Sequence, residues 1–149
     1  MELSATYTFK APATRVWAVL MDTEAIAGCL PRCRGLRPLG DDRYDAELVA
    51  GVAAISGNFK ATIALEDKQP PHSYRLVVDA NGRPGFVRGQ AAFVLTEQDA
   101  GTSVQITATA DVGGLIARVG QRLLEGVARM TMDQFYGCLA KRIELPPTT

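Results

Sequence analysis

The chain is poor in the residues that usually do acid–base, metal or redox chemistry. Its 149 residues include one histidine, His72, and three cysteines, Cys29, Cys33 and Cys138. The first two cysteines are four positions apart and the third lies far downstream. Neither a CxxC redox pair nor a four-ligand zinc set can be built from them, and an odd count fits reduced thiols in a cytoplasmic protein. Charge of one sign is also missing: 16 Lys and Arg balance 16 Asp and Glu. No basic field is therefore available to gather nucleic acid. No apolar run reaches membrane-spanning length, and the opening MELSATYTFKAP lacks a basic stretch followed by an apolar one. The expected location is the cytoplasm, with peripheral contact at the inner face of the membrane left open. No cofactor or metal is required by anything in the sequence.

What the chain does have is ordinary globular composition, 47% hydrophobic and 21% charged, enough for one core without staples. We expect a single domain over 1–145 and a short disordered tail over 146–149. Leu3, Ala5, Tyr7 and Phe9 alternate with polar residues, the period of a half-buried strand. PATRVWAVLMD then reads as a short helix with Pro12 in its first turn and Val16, Trp17, Leu20 and Met21 on one face. A second short helix is expected over Thr23–Gly28, with Thr23 as N-cap and Pro31 beyond its end. From Gly35 to Asp111 strand follows strand, with turn signals at Gly40-Asp41-Asp42, Gly57-Asn58, Pro70-Pro71-His72, Asn81-Gly82 and Asp99-Ala100-Gly101. The short spacings predict antiparallel hairpins. After Gly113-Gly114 the period changes to helical: Ile116, Val119, Leu123, Val127, Met130, Phe135 and Leu139 form a stripe, with Arg118, Arg122 and Arg129 opposite. One helix is expected from about Leu115 to Ile143, stopped by Pro146-Pro147.

These elements predict an α+β domain, a curved antiparallel sheet of about seven strands around a long C-terminal helix, with two short helices after the first strand. Within the sheet, PGFVRGQAAFVL raises a question of volume. Val87, Gly89, Ala91, Phe93 and Leu95 share a face, yet its centre is shallow, and Ala117, Gly120, Gly126 and Ala128 on the helix are also small. Small residues either let the helix approach the sheet closely, or mark a bulge, or leave an apolar cavity for a ligand. The residues alone do not separate these readings.

FKAPATRVWAVLMDTEAIAGCLPRCRGL, PPHSYRL, GFVRGQAAFVL and VGGLIARVGQRLLEGVARMTMDQFY, in that order, resemble the CoxG family of carbon monoxide dehydrogenase subunits, which belongs to the SRPBCC or START-like helix-grip superfamily. The resemblance spans nearly the whole chain. It implies a binding protein, not an enzyme, that holds a quinone or lipid between sheet and C-terminal helix and serves a molybdenum-containing dehydrogenase at the membrane. Carried over by position, the cavity side comprises Phe59, Val87, Gly89, Ala91 and Phe93 on the strands. On the helix it comprises Ile116, Val119, Gly120, Leu123 and Met130. Where the family commonly shows Cys-x-Pro-Gly-Cys, this chain has Cys29-Leu30-Pro31-Arg32-Cys33, which puts that loop's geometry in question. The loop is expected either to gate the cavity mouth or to cap one end of the sheet. Longer members continue into a Pro/Ala-rich linker and an apolar tail, whereas this sequence stops at ELPPTT.

Two other functions compete. A polyketide cyclase or aromatase shares the superfamily fold but needs an acid or base in the cavity, and the inward-facing set contains none. An assembly factor for the dehydrogenase would leave the cavity empty and work through Arg118 and Arg122. His72, set between Pro71 and Ser73, reads as a solvated turn residue, and Asp41 and Asp42 as hairpin-turn residues. Trp17 and Tyr7 read as core.

Overall fold

A computed structural model describes residues 1–52 and 55–144. The expected tail over 146–149 and the Pro146-Pro147 stop lie outside the described residues. The strands are β1 (Glu2–Phe9), β2 (Cys33–Gly40), β3 (Arg43–Val52), β4 (Ile55–Gln69), β5 (Ser73–Gly82), β6 (Gly85–Gln98) and β7 (Gly101–Gly113). Two short helices, α1 (Ala13–Leu20) and α2 (Thr23–Cys29), follow β1, and α3 (Gln121–Ile143) ends the described chain. The strands form one seven-stranded sheet in the order β1-β7-β6-β5-β4-β3-β2, every neighbouring pair antiparallel. This is the α+β architecture expected from the alternation. β1 lies at one edge and β2 at the other, so α1 and α2 carry the chain across the open end of the sheet and α3 returns over its inner face.

Turn chemistry explains most hairpins. Asp41 and Asp42 both take positive φ, 54° and 59°, the backbone of the two-residue turn whose twist matches flanking strands. Two other expected turns are corrected. Gly57-Asn58 lies inside β4, opposite Ala50 and Val49. Asn81-Gly82 ends β5, and the turn falls one step later at Arg83-Pro84, with Gly82 facing Gly85. A β-carbon on Gly82 would collide with the Asn58 carbonyl oxygen, so close strand approach, not turn formation, requires that glycine.

Helix starts and breaks also differ in detail. Asp22, not Thr23, caps α2: its carboxylate accepts the Glu24 N–H at 3.0 Å, and its extended φ of −88° and ψ of 111° belong to a cap position. The C-terminal helix is broken. Leu115–Val119 is a short 3-10 helix, and Gly120, at φ 97° and ψ 149°, separates it from α3. No side chain crowds Gly120; the conformation itself demands glycine. The break shifts the helical phase. Tyr136, Leu139 and Ile143 are buried, while Leu123 and Met130, expected inside, are 44% and 56% exposed.

Two apolar clusters hold the layers together. One joins Phe9, Val16, Leu20, Val104, Leu139 and Ile143 across β1, α1, β7 and α3. The other gathers Ala46, Phe59, Ala61, Ala80 and Ile116 beneath the 3-10 helix. Thr102, wholly buried, donates its hydroxyl to the Ala11 carbonyl at 2.7 Å, and Arg15 donates to the carbonyls of Arg142 and Ile143 at the end of α3. These bonds fix the entry to α1 and the end of α3 relative to the sheet. The cysteines overturn the expectation of reduced thiols: Cys29 and Cys138 form a disulfide, with Cα atoms 5.5 Å apart across a sequence separation of 109, leaving Cys33 free. It ties α2 to α3.

Candidate functional site

Between α2, α3 and the middle of the sheet lies a cavity of about 280 Å³. Its floor is the inner face of β4 and β5, where Ala61, Ile63, Leu65, Leu76 and Val78 point inward by strand parity. Leu36, Tyr44 and Leu48 from β2 and β3 close one side. Leu20, Met21, Ile26 and Leu30 from α1, α2 and the following loop form another. Phe135 and Tyr136 of α3 make the roof, with Phe93 and Tyr74 at the far end. The lining is apolar apart from Thr23 and the three tyrosines. A wider groove on the outer face of the sheet, bordered by Arg37, Asp45, Glu47, Lys60 and Asp79, is charged and open to solvent.

Aromatic stacking sets the far end. The Tyr74 ring stacks on Phe93 with centroids 4.5 Å apart, and Trp17 meets it edge-on at 5.5 Å. Tyr136 stacks on Tyr7 at 4.3 Å and meets Phe135 edge-on at 5.2 Å. Trp17 and Tyr7 are thus core-packing residues, as expected. Burial pushes the ionisation of Tyr74 and Tyr136 upward, because a phenolate is poorly solvated in such surroundings. Tyr7 is raised to about 12, first by burial and then by its hydrogen bond to Asp133, which accepts the phenol proton at 2.7 Å.

Of the residues assigned to the cavity from sequence, Phe93 lines it. Ala91 packs at the edge of the adjoining cluster. Phe59, Val87, Ile116 and Val119 belong to the second cluster, and Leu123 and Met130 face outward. Gly120 is the helix break. Gly89 is a close-approach position: a β-carbon there would meet the Thr109 carbonyl oxygen at 2.7 Å and the Ala110 β-carbon at 3.0 Å. The missing volume in β6 therefore serves strand packing, while the cavity opens over β4 and β5. Sequence reasoning missed Tyr136, Leu30 and the β4–β5 floor, although Tyr74, Leu76 and Val78 alternate in the sequence and so share one strand face. The Cys29–Cys33 loop borders the cavity through Leu30, and Arg32 in it holds a left-handed φ of 61°. The loop keeps a glycine-like backbone despite carrying arginine. His72 is exposed, in the turn between β4 and β5.

A sequence model of the CoxG family of carbon monoxide dehydrogenase subunits matches residues 6–144. The chain belongs to that family. A conserved protein from Geobacillus kaustophilus is 35% identical, with a TM-score of 0.91 over 96% of this chain and 95% of the other. A START superfamily protein from Mycobacterium smegmatis, 14% identical, superposes with a TM-score of 0.72 over 96% and 97% of the two chains. The di-domain aromatase/cyclase BexL matches at 17% identity and a TM-score of 0.64, over 99% of this chain and 51% of its own. The last two likenesses concern the fold alone. No curated protein matches the chain. CoxG membership and the START-like fold point to a ligand-binding protein, and the cavity is where this CoxG chain has room for a ligand.

Proposed function

We propose that the protein is a carrier for a hydrophobic small molecule, a quinone or lipid, that links a molybdenum-containing dehydrogenase of the carbon monoxide dehydrogenase type to the membrane. The observation that carries this reading is the apolar cavity between the sheet and α2–α3 in a CoxG-family fold. About nine heavy atoms fill 280 Å³ at ~30 Å³ each. Burying that many carbons stabilises a complex by ~7 kcal/mol before ordering costs. The membrane contact in this proposal is peripheral, at the cytoplasmic face; among the described residues no helix is long and apolar enough to cross a membrane. Mass spectrometry of an organic extract of the purified protein, before and after incubation with cell membranes, tests the proposal. A near-stoichiometric quinone or lipid is expected. A protein that is empty and takes up nothing refutes it.

A second reading, recruitment of the dehydrogenase through the protein surface, is favoured by the exposed Leu115, Leu123 and Met130 beside the exposed Arg118 and Arg122. Charge reversal at the two arginines separates it, abolishing partner binding without touching ligand uptake. The cyclase-type reading rests on likeness to BexL in fold, and the cavity lining offers it no His, Asp, Glu or Lys. We infer an accessory role from CoxG membership.

A further inference from the structure

We propose that the hydroxyls of Tyr74 and Tyr136 form the polar end of the cavity and select a ligand bearing a carbonyl or hydroxyl oxygen on a ring-sized head group. This rests on the carrier reading and adds the chemistry it selects for. Both tyrosines line the cavity, one from the sheet and one from α3, and are 6% and 4% exposed. Buried hydroxyls are normally paired, because leaving one unpaired is costly. Even the partly exposed Tyr7 hydroxyl is paired, with Asp133. Among the described residues neither the Tyr74 nor the Tyr136 hydroxyl has a protein partner, yet the one fully covered and unpartnered side-chain nitrogen or oxygen is Nε of Arg75. The two phenol oxygens therefore keep contact with open space, and the open space these buried residues border is the cavity.

The rings are held before any ligand arrives. Tyr74 is clamped between Phe93 and Trp17, and Tyr136 between Tyr7 and Phe135. A donor already fixed in its bound orientation loses little freedom on binding. Burial keeps both phenols un-ionised, so they act as neutral donors and acceptors. A hydrocarbon leaves both unpaired. A carbonyl oxygen, with two lone pairs, accepts from one or both. A carboxylate fits less well, since no cationic side chain lines the cavity to offset its desolvation.

The experiment uses calorimetric titration of the intact protein with a short-chain alkyl benzoquinone and with an alkylbenzene of the same chain length. Trp17, the single tryptophan, provides fluorescence as a second readout. The wild type is expected to bind the quinone at least tenfold more tightly. The double variant Tyr74→Phe/Tyr136→Phe should lose about 4- to 100-fold of its quinone affinity, at about 2- to 10-fold per hydroxyl. Its alkylbenzene affinity should hold or rise, because no hydroxyl is then left unpaired, which shows that the cavity is intact. An unchanged quinone affinity, or equal loss of both probes, overturns the role of the hydroxyls and leaves the carrier reading standing. Failure of the wild type to bind either probe overturns both.

Discussion

Filling the cavity from its floor should weaken binding without weakening the fold. Val78 lines the cavity and faces Ile63 on one side and Gly89, which has no side chain, on the other. Val78→Phe adds four carbons, ~120 Å³ at ~30 Å³ per heavy atom, out of about 280 Å³. A ligand then loses room for about four of its own carbons, or ~3 kcal/mol, which is roughly two orders of magnitude in Kd. The unliganded protein moves the other way. Occupying a void recovers up to ~24 cal/mol per Å³, so its unfolding free energy should stay level or rise by as much as ~3 kcal/mol. Phenylalanine is also well suited to a strand. Urea denaturation and quinone titration of the two proteins read both quantities. Stability lowered by more than ~1.5 kcal/mol, the mark of overpacking, together with unchanged affinity, would refute the existence of usable space over β5.

Other expectations concern local chemistry. Arg32→Gly should raise stability by up to ~1 kcal/mol, because arginine now holds a left-handed φ of 61° that glycine adopts without strain; a loss in urea denaturation would contradict this. Asp22→Ala should cost ~1 kcal/mol by removing the α2 cap and Thr23→Ala much less, and the reverse ranking would restore Thr23 as the cap. The Tyr7 phenol has its folded pKa raised from 10.0 to about 12, so its contribution to stability is complete below pH 10 and is lost as pH climbs toward 12. Unfolding free energy measured from pH 9 to 11.5 should therefore fall more steeply for the wild type than for Tyr7→Phe, and parallel curves would exclude the linkage.

Period-two alternation was enough to read the sheet, and so were α1, the Asp41-Asp42 turn and the family, because each depends on neighbours in sequence. The cavity was not readable in the same way. A void depends on how far one layer stands from another, and Gly89 with Ala91 looked like missing volume when Thr109 and Ala110 on the next strand already occupy that space. Helix phase failed for a related reason: Gly120 was counted as a small helical residue, whereas its positive φ ends one helix and re-phases the next. Its presence between Val119 and Gln121 was a legible signal for a break. The Cys29–Cys138 bond had no such signal, since a separation of 109 residues carries no information about proximity until the fold brings α2 and α3 together.

That bond bears on how a ligand enters and leaves. A cavity of about 280 Å³ holds a ring with short substituents but not a long isoprenoid chain, so the remainder of such a ligand must pass out through a wall. The wall between α2 and α3 is covalently closed by Cys29–Cys138. The opposite wall, where Ile26 and Leu30 face Leu36, Tyr44 and Leu48 near the β2 edge of the sheet, has no covalent cross-link and is tied to β3 through the Val49 N–H, which donates to the Arg32 carbonyl at 3.0 Å. Exit through the β2 side requires that α2 and its loop tilt away from β2 and β3, which strains or breaks that backbone bond but no covalent one. Replacing both cysteines by serine should then lower stability by about 2–4 kcal/mol, as expected for opening a long closed loop, yet leave the rate of ligand exchange with vesicles within about twofold of the wild type, since it removes no contact on the exit side. An exchange rate that rises tenfold or more, at temperatures where both proteins are folded, would place the exit between α2 and α3 instead.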